Sequence, residues 1–160
     1  KDGEKLDEVS SPLFFLFKLG LVDIDDEYFE NTMNAIIHDL SPDTDIGGVA
    51  RYKQDHYHKQ TDDFEKVPGN PWIISTLWTA QYMIEKAETE EELEKAQEKM
   101  HWACNHSLET GLLPEQINPF TGEGLSVAPL TWSHTTFIES ALMYADRKQE
   151  FTDEEEVKFV

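Results

Sequence analysis

Cysteine is almost missing from this chain. Cys104 stands alone among 160 residues, so no internal disulfide can form, and a reducing, cytoplasmic compartment is favoured. Long apolar runs are missing as well. The longest, Leu13 to Phe17, falls far short of the roughly 18 residues that cross a bilayer, and no secretory leader is visible. The chain opens on Lys1 and its first methionine is Met33, so it reads as a processed or truncated product whose absent leading part leaves a targeting signal open. Basic residues are scarce: 13 against 33 acids, a formal charge of −20. A surface that negative repels phosphate backbones and anionic lipid, which argues against nucleic acid and membrane partners. A neutral ligand such as a sugar is compatible with it. Most of the acids read as solvated helix faces. No glycine-rich phosphate loop, βαβ rhythm or low-complexity tract occurs.

What is present is helical periodicity, in a length that fits one domain with a single core. A first helix is predicted over Ser10 to Lys18, with Pro12 in its first turn and Gly20 past its end. Phe29, Met33, Ile36, Ile37 and Leu40 follow the spacing of an amphipathic helix, opened by Asp25, Asp26 and Glu27 where the helix dipole favours acids. From Pro71 to Ala87 apolar residues cover more than one face, so that helix must be buried on most sides. Thr89 with Glu92 forms a capping-box pattern that opens a helix carrying Leu93, Ala96, Met100, Ala103, Cys104 and Leu108. Gly111 is expected to stop it, and Cys104 to be buried on it as a small apolar residue. A last helix is predicted from about Ser133 to Arg147, followed by an acidic tail that reads as solvated or as a short terminal helix. The fold class is all-α: αα-hairpins joined by two long loops, Ser41 to Asn70 and Gly111 to Thr131. Structureless loops of that length tend to be functional.

Three loop segments hold residues suited to chemistry. Pro114 fixes the backbone just before Glu115, and Gln116 follows, so a carboxylate sits beside an amide on a rigid, non-helical stretch. That suits a general base, although with 33 acids in the chain any one glutamate is more often solvated than catalytic. Arg51 follows Gly47 and Gly48 and precedes Asp55 by four residues. Only Arg51 and Arg147 are arginines, and Arg147 sits near a helix C-terminus, where a cation is expected anyway. The planar guanidinium of Arg51 suits two adjacent sugar hydroxyls. An ion pair with Asp55 explains it equally well. Asn70-Pro71-Trp72 reads as a helix entrance, with Trp72 in the first turn pointing at a loop-lined mouth. There its ring is suited to the flat face of a sugar or simply fills core, the reading taken for Trp78 and Trp102. His56 and His58 lack a third ligand at convincing spacing, so neither a metal nor a cofactor is expected.

Four segments occur in order: GGVARYKQDHYHK (47–59), GNPWIISTLWTAQY (69–82), GLLPEQINPFTGE (111–123) and LSVAPLTWSH (125–134). Together they resemble the glucoamylase family of glycoside hydrolases, which also holds glucodextranases and some trehalases, over about residues 11–146. The resemblance implies a barrel of six αα-hairpins, an (α/α)6 barrel, with this chain as roughly its second half. Residues 1–149 would be a partial catalytic domain and 150–160 an acidic tail. By the same resemblance Glu115 is the general base that activates water, Ser126 hydrogen-bonds it, Arg51 and Trp72 bind substrate, and Asp55 supports Arg51. The family inverts the anomeric carbon with a second carboxyl as acid, and no segment here matches the motif that carries it. The implied activity is exo-acting release of glucose from α-glucan ends, with the chain inactive alone and completed by the remainder of the barrel. Maltooligosaccharide, dextran and trehalose stay open as substrates. A non-catalytic helical glucan-binding or interaction module is the alternative. A half-barrel would expose a broad apolar face, so self-association is expected.

Overall fold

Residues 9–158 are described by a computed structural model. A 3-10 turn (Ser11–Phe14) runs into α1 (Phe15–Lys18), followed by α2 (Glu27–Asp39), α3 (Ile73–Lys86) and α4 (Glu90–Asn105). Two short strands, β1 (Gln116–Ile117) and β2 (Gly124–Leu125), precede α5 (Thr131–Lys158). The fold is all-α, as the periodicity requires.

The central element is α3, and its sequence explains why. Ile74, Trp78 and Tyr82 recur every four residues and enter one hydrophobic cluster with Phe14, Phe29, Met33, Ile36 and Leu40. Ile73, Leu77, Ala80 and Ile84 line the other side and meet Leu93, Ala96, Met100 and Ala103 of α4. Two stripes on one helix leave little of it for water. Of its end only Glu85 is exposed. Local signals set the starts of its neighbours. The Asp26 side chain accepts the Phe29 N–H at 2.9 Å, and the Thr89 hydroxyl accepts the Glu92 N–H at 3.3 Å. The Glu92 carboxylate reaches back to the Glu88 N–H at 2.9 Å, one residue earlier than in the usual reciprocal box.

Several boundaries differ from the sequence expectation. α4 ends at Asn105, not at Gly111. The His106 imidazole bonds the Trp102 carbonyl at 2.8 Å, which takes up an acceptor of the last turn, and Gly111 (φ 78°) sits in a separate turn beyond. Cys104 is exposed, not buried. α4 turns Ala96, Met100 and Ala103 inward, and the next residue lies about 100° further round the helix. Trp102 is half-buried, with its indole N–H on the Ile46 carbonyl at 2.6 Å. The last helix does not stop near Arg147 but runs on to Lys158. The Arg147 Nε donates to the Ala87 carbonyl at 3.2 Å, and Phe151 packs on the α3–α4 cluster. Those contacts tie the acidic segment into α5, while Glu150, Thr152 and Asp153 remain exposed.

Candidate active site

Gly47 and Gly48 take positive φ, 67° and 83°, and that backbone carries Val49 and Ala50 into the core, both fully buried. The Val49 N–H donates to the Thr76 hydroxyl at 2.9 Å, and the Trp72 N–H to the Val49 carbonyl at 2.9 Å. Arg51 then emerges at the surface with its carbonyl held by the Ser11 N–H at 2.8 Å. Its guanidinium grips Asp55 in a fork, Nε to Oδ2 and Nη2 to Oδ1, both 3.0 Å, and Nη2 also donates to the Tyr52 hydroxyl at 3.1 Å. The ion pair is therefore real. Among the described residues Nη1 has no partner, so it leaves the reading of Arg51 as a hydroxyl binder open as well. Desolvation pulls the Arg51 pKa down, but the hydrogen bonds and charge of Asp55 and Tyr52 more than offset it and leave it raised.

Trp72 is not in the first turn of α3. It is the N-cap, with extended backbone (φ −104°, ψ 138°), and it is 5% exposed. The Arg51 Cζ lies 4.5 Å above its ring, and the Tyr57 ring packs at 6.2 Å from it. Its indole N–H, like the Asn70 Oδ1, is buried without a partner among the described residues.

Glu115 is placed by a ladder of two-residue strands, too short to show a period in the sequence. β1 and β2 pair antiparallel with Gln116 opposite Leu125, a register that sets Glu115 opposite Ser126. The Glu115 N–H donates to the Val127 carbonyl at 3.0 Å, and its carbonyl accepts the Ile73 N–H at 3.2 Å. The start of α5 clamps the residues before it: the Ser133 hydroxyl donates to the Pro114 carbonyl at 2.8 Å, and the Leu113 N–H donates to His134 Nε2 at 3.0 Å. On the side chain, the Ser126 hydroxyl donates to Glu115 Oε2 at 2.5 Å. Gln116 Nε2 stands 3.5 Å from the same oxygen.

The two halves join through residues that sequence reasoning did not nominate. The Tyr57 hydroxyl lies 3.5 Å from Ser126 Oγ, and its backbone N–H donates to Asp55 Oδ1 at 3.0 Å. Asn70, 1% exposed, donates to Gln116 Oε1 and to the His58 carbonyl, both at 2.9 Å. The signal for Tyr57 was an aromatic two residues beyond Asp55. Asn70 left no such signal: before Pro71 it reads as a helix cap, yet α3 shows no side-chain cap. Gln54, His58 and Ser126 all have positive φ, an uncommon state for side-chain-bearing residues that tends to gather at functional sites. Glu115 is half-buried while Ser126 and Tyr57 are exposed, so the group forms an open face. Arg51, Asp55, Trp72, Glu115 and Ser126 are thus all in one place.

Asp55 is 1% exposed and accepts three hydrogen bonds. Asp55→Asn removes the charge and turns one acceptor into a donor, so unfolding free energy should fall by about 1–3 kcal/mol. That is less than a fully buried pair would lose, because the Arg51 side chain is 31% exposed and water can solvate it. Urea denaturation measures it, and an unchanged midpoint would show that the loop stands without the pair.

No family model matches the chain. It is 33% identical over 138 residues to an uncharacterized glycosyl hydrolase of Methanocaldococcus jannaschii, covering 81% of this chain and 20% of that protein. Its backbone superposes on a bacterial glucoamylase complexed with acarbose with a TM-score of 0.73 at 22% identity, over 88% of this chain and 21% of that one. The glucoamylase of Saccharomycopsis fibuligera gives a TM-score of 0.63 at 16% identity, over 88% of this chain and 41% of that one. The chain therefore has the fold of a glycoside hydrolase. More narrowly, the fold is glucoamylase-like, the all-α arrangement of part of an (α/α)6 barrel. It spans about a fifth of the length of the archaeal relative and of the bacterial glucoamylase.

Proposed function

We propose that this chain supplies the water-activating side of an inverting, exo-acting glycosidase of glucoamylase type, releasing glucose from the ends of α-glucan oligosaccharides or polysaccharides. The observation that carries the reading is the state of Glu115. Ser126 and Gln116 both direct donors at Oε2, and among the described residues no hydrogen bond occupies Oε1. A carboxylate pinned by one oxygen and open at the other suits a base that takes a proton from water. Arg51, stacked on Trp72 and forked to Asp55, supplies a fixed, charged donor beside it for sugar hydroxyls. Inversion needs a second carboxyl about 6.5–9.5 Å away on the opposite face of the sugar. We place that acid in the remainder of the barrel, outside this chain, and expect the chain alone to be inactive.

The surface supports a missing neighbour. Phe15, Trp78, Trp132, Ile138 and Leu142 line an open groove of about 460 Å³, and Trp132, Ile138 and Leu142 are 50–61% exposed. An apolar strip of that kind is where the remaining hairpins, or in their absence a second copy, would be buried. The test is stereochemical. Protein expressed from the whole reading frame, given maltotriose and followed by proton NMR faster than mutarotation, should release β-glucose from the chain end first. α-Glucose as the first product, or internal cleavage of longer chains, would overturn the mechanism. Binding of maltooligosaccharide without any hydrolysis would leave the non-catalytic glucan-binding module.

A further inference from the structure

Ser126 has one hydroxyl proton and gives it to Glu115 Oε2, because an ionised carboxylate can only accept. The contact between Ser126 Oγ and the Tyr57 hydroxyl must then run the other way, with the phenol donating. We propose that Tyr57 is a positioning residue for the base: its O–H donates to Ser126 Oγ, which turns the serine proton onto Glu115. This rests on the reading of Glu115 as the general base.

Tyr57 is built into that place from several sides. Its backbone N–H is tied to Asp55 Oδ1 at 3.0 Å, and its ring lies against Trp72 with the Arg51 Cζ 5.7 Å from its centre. Ser126 meets it from the other loop, 69 positions away in sequence, in a left-handed conformation of φ 65°. Without a donor behind it, only the bond to Glu115 holds the serine hydroxyl about its Cβ–Oγ bond. With one, the two bonds point the same way and polarise each other. The arrangement also links the Arg51 loop to the Glu115 loop, so a sugar that moves Tyr57 would be felt at the base.

The experiment is a double-mutant cycle in protein from the whole reading frame, with kcat and KM measured on maltotriose for Tyr57→Phe, Ser126→Ala and the pair. Tyr57→Phe keeps the ring and should lower kcat by about 3- to 10-fold, the size of one hydrogen bond, with KM little changed. In the Ser126→Ala background the same change should have no further effect, because the hydroxyl acts only through the serine. The same fold loss in both backgrounds, or a rise in KM with kcat untouched, would overturn the proposal in favour of direct sugar contact. So would an unchanged kcat. A Glu115→Gln control separates the two ideas. Full activity there removes the base itself, whereas loss there with none in Tyr57→Phe removes Tyr57 alone.

Discussion

Glu115→Gln, in protein expressed from the whole reading frame, should cut maltooligosaccharide hydrolysis by at least about 10²-fold, the lower end of what general acid–base assistance contributes. The loss should fall on kcat, with KM close to that of the parent, because the amide occupies the same volume and the proton transfer is needed only in the transition state. Folding should be preserved. The backbone of Glu115 is held through its own N–H and C=O, to Val127 and Ile73, and neither bond depends on the side chain. Ser126 can still donate to the amide oxygen. A rate within a few-fold of the parent would dismiss Glu115 as the base and return the role to another acid. A collapse of rate together with loss of the unfolding transition would mean that the carboxylate is needed for structure.

The second large effect is on stability. A Cβ on Gly48 would come 2.5 Å from the Trp102 ring and 2.7 Å from the Pro71 side chain, at a φ of +83°. Gly47 has a φ of +67° and open space around it. Gly47→Ala should therefore cost only the left-handed backbone penalty, about 1–2 kcal/mol. Gly48→Ala should cost that plus about 1–3 kcal/mol of overpacking, because the atoms in the way are a ring wedged on Ile46 and a proline that cannot swing aside. Urea titrations of the two variants side by side check this, and equal midpoints would show that Trp102 yields freely. Pro71 adjoins Trp72, so any relief at Gly48 also disturbs the platform under Arg51.

Much of the helical core was legible because it rests on short-range pattern. Ile73, Ile74, Leu77, Trp78 and Ile84 announce a helix buried on two sides without reference to any partner. Thr89 and Glu92 announce where α4 starts, and Asp26 where α2 starts. Ends were less legible, since they depend on neighbours. Nothing near Arg147 in sequence says that the Ala87 carbonyl waits for its guanidinium, so the sequence alone does not show that α5 runs through it without a break. Cys104 departs from the expectation because one position on a helix decides between core and solvent, and the apolar stripe of α4 is narrow. The strand pair was invisible because two-residue strands have too few residues to show a period.

By itself the sequence determined the helical class, the three loop segments that carry Arg51, Trp72 and Glu115, and the four motifs that resemble one enzyme family, all of which depend on residue type and local spacing. Only the tertiary structure decided that these loops meet. The register that sets Glu115 opposite Ser126, the fork between Arg51 and Asp55 over Trp72, and the Tyr57 hydroxyl reaching across to Ser126 join residues far apart along the chain. Such contacts follow from the packing of α3 between its two clusters, and no local pattern encodes them.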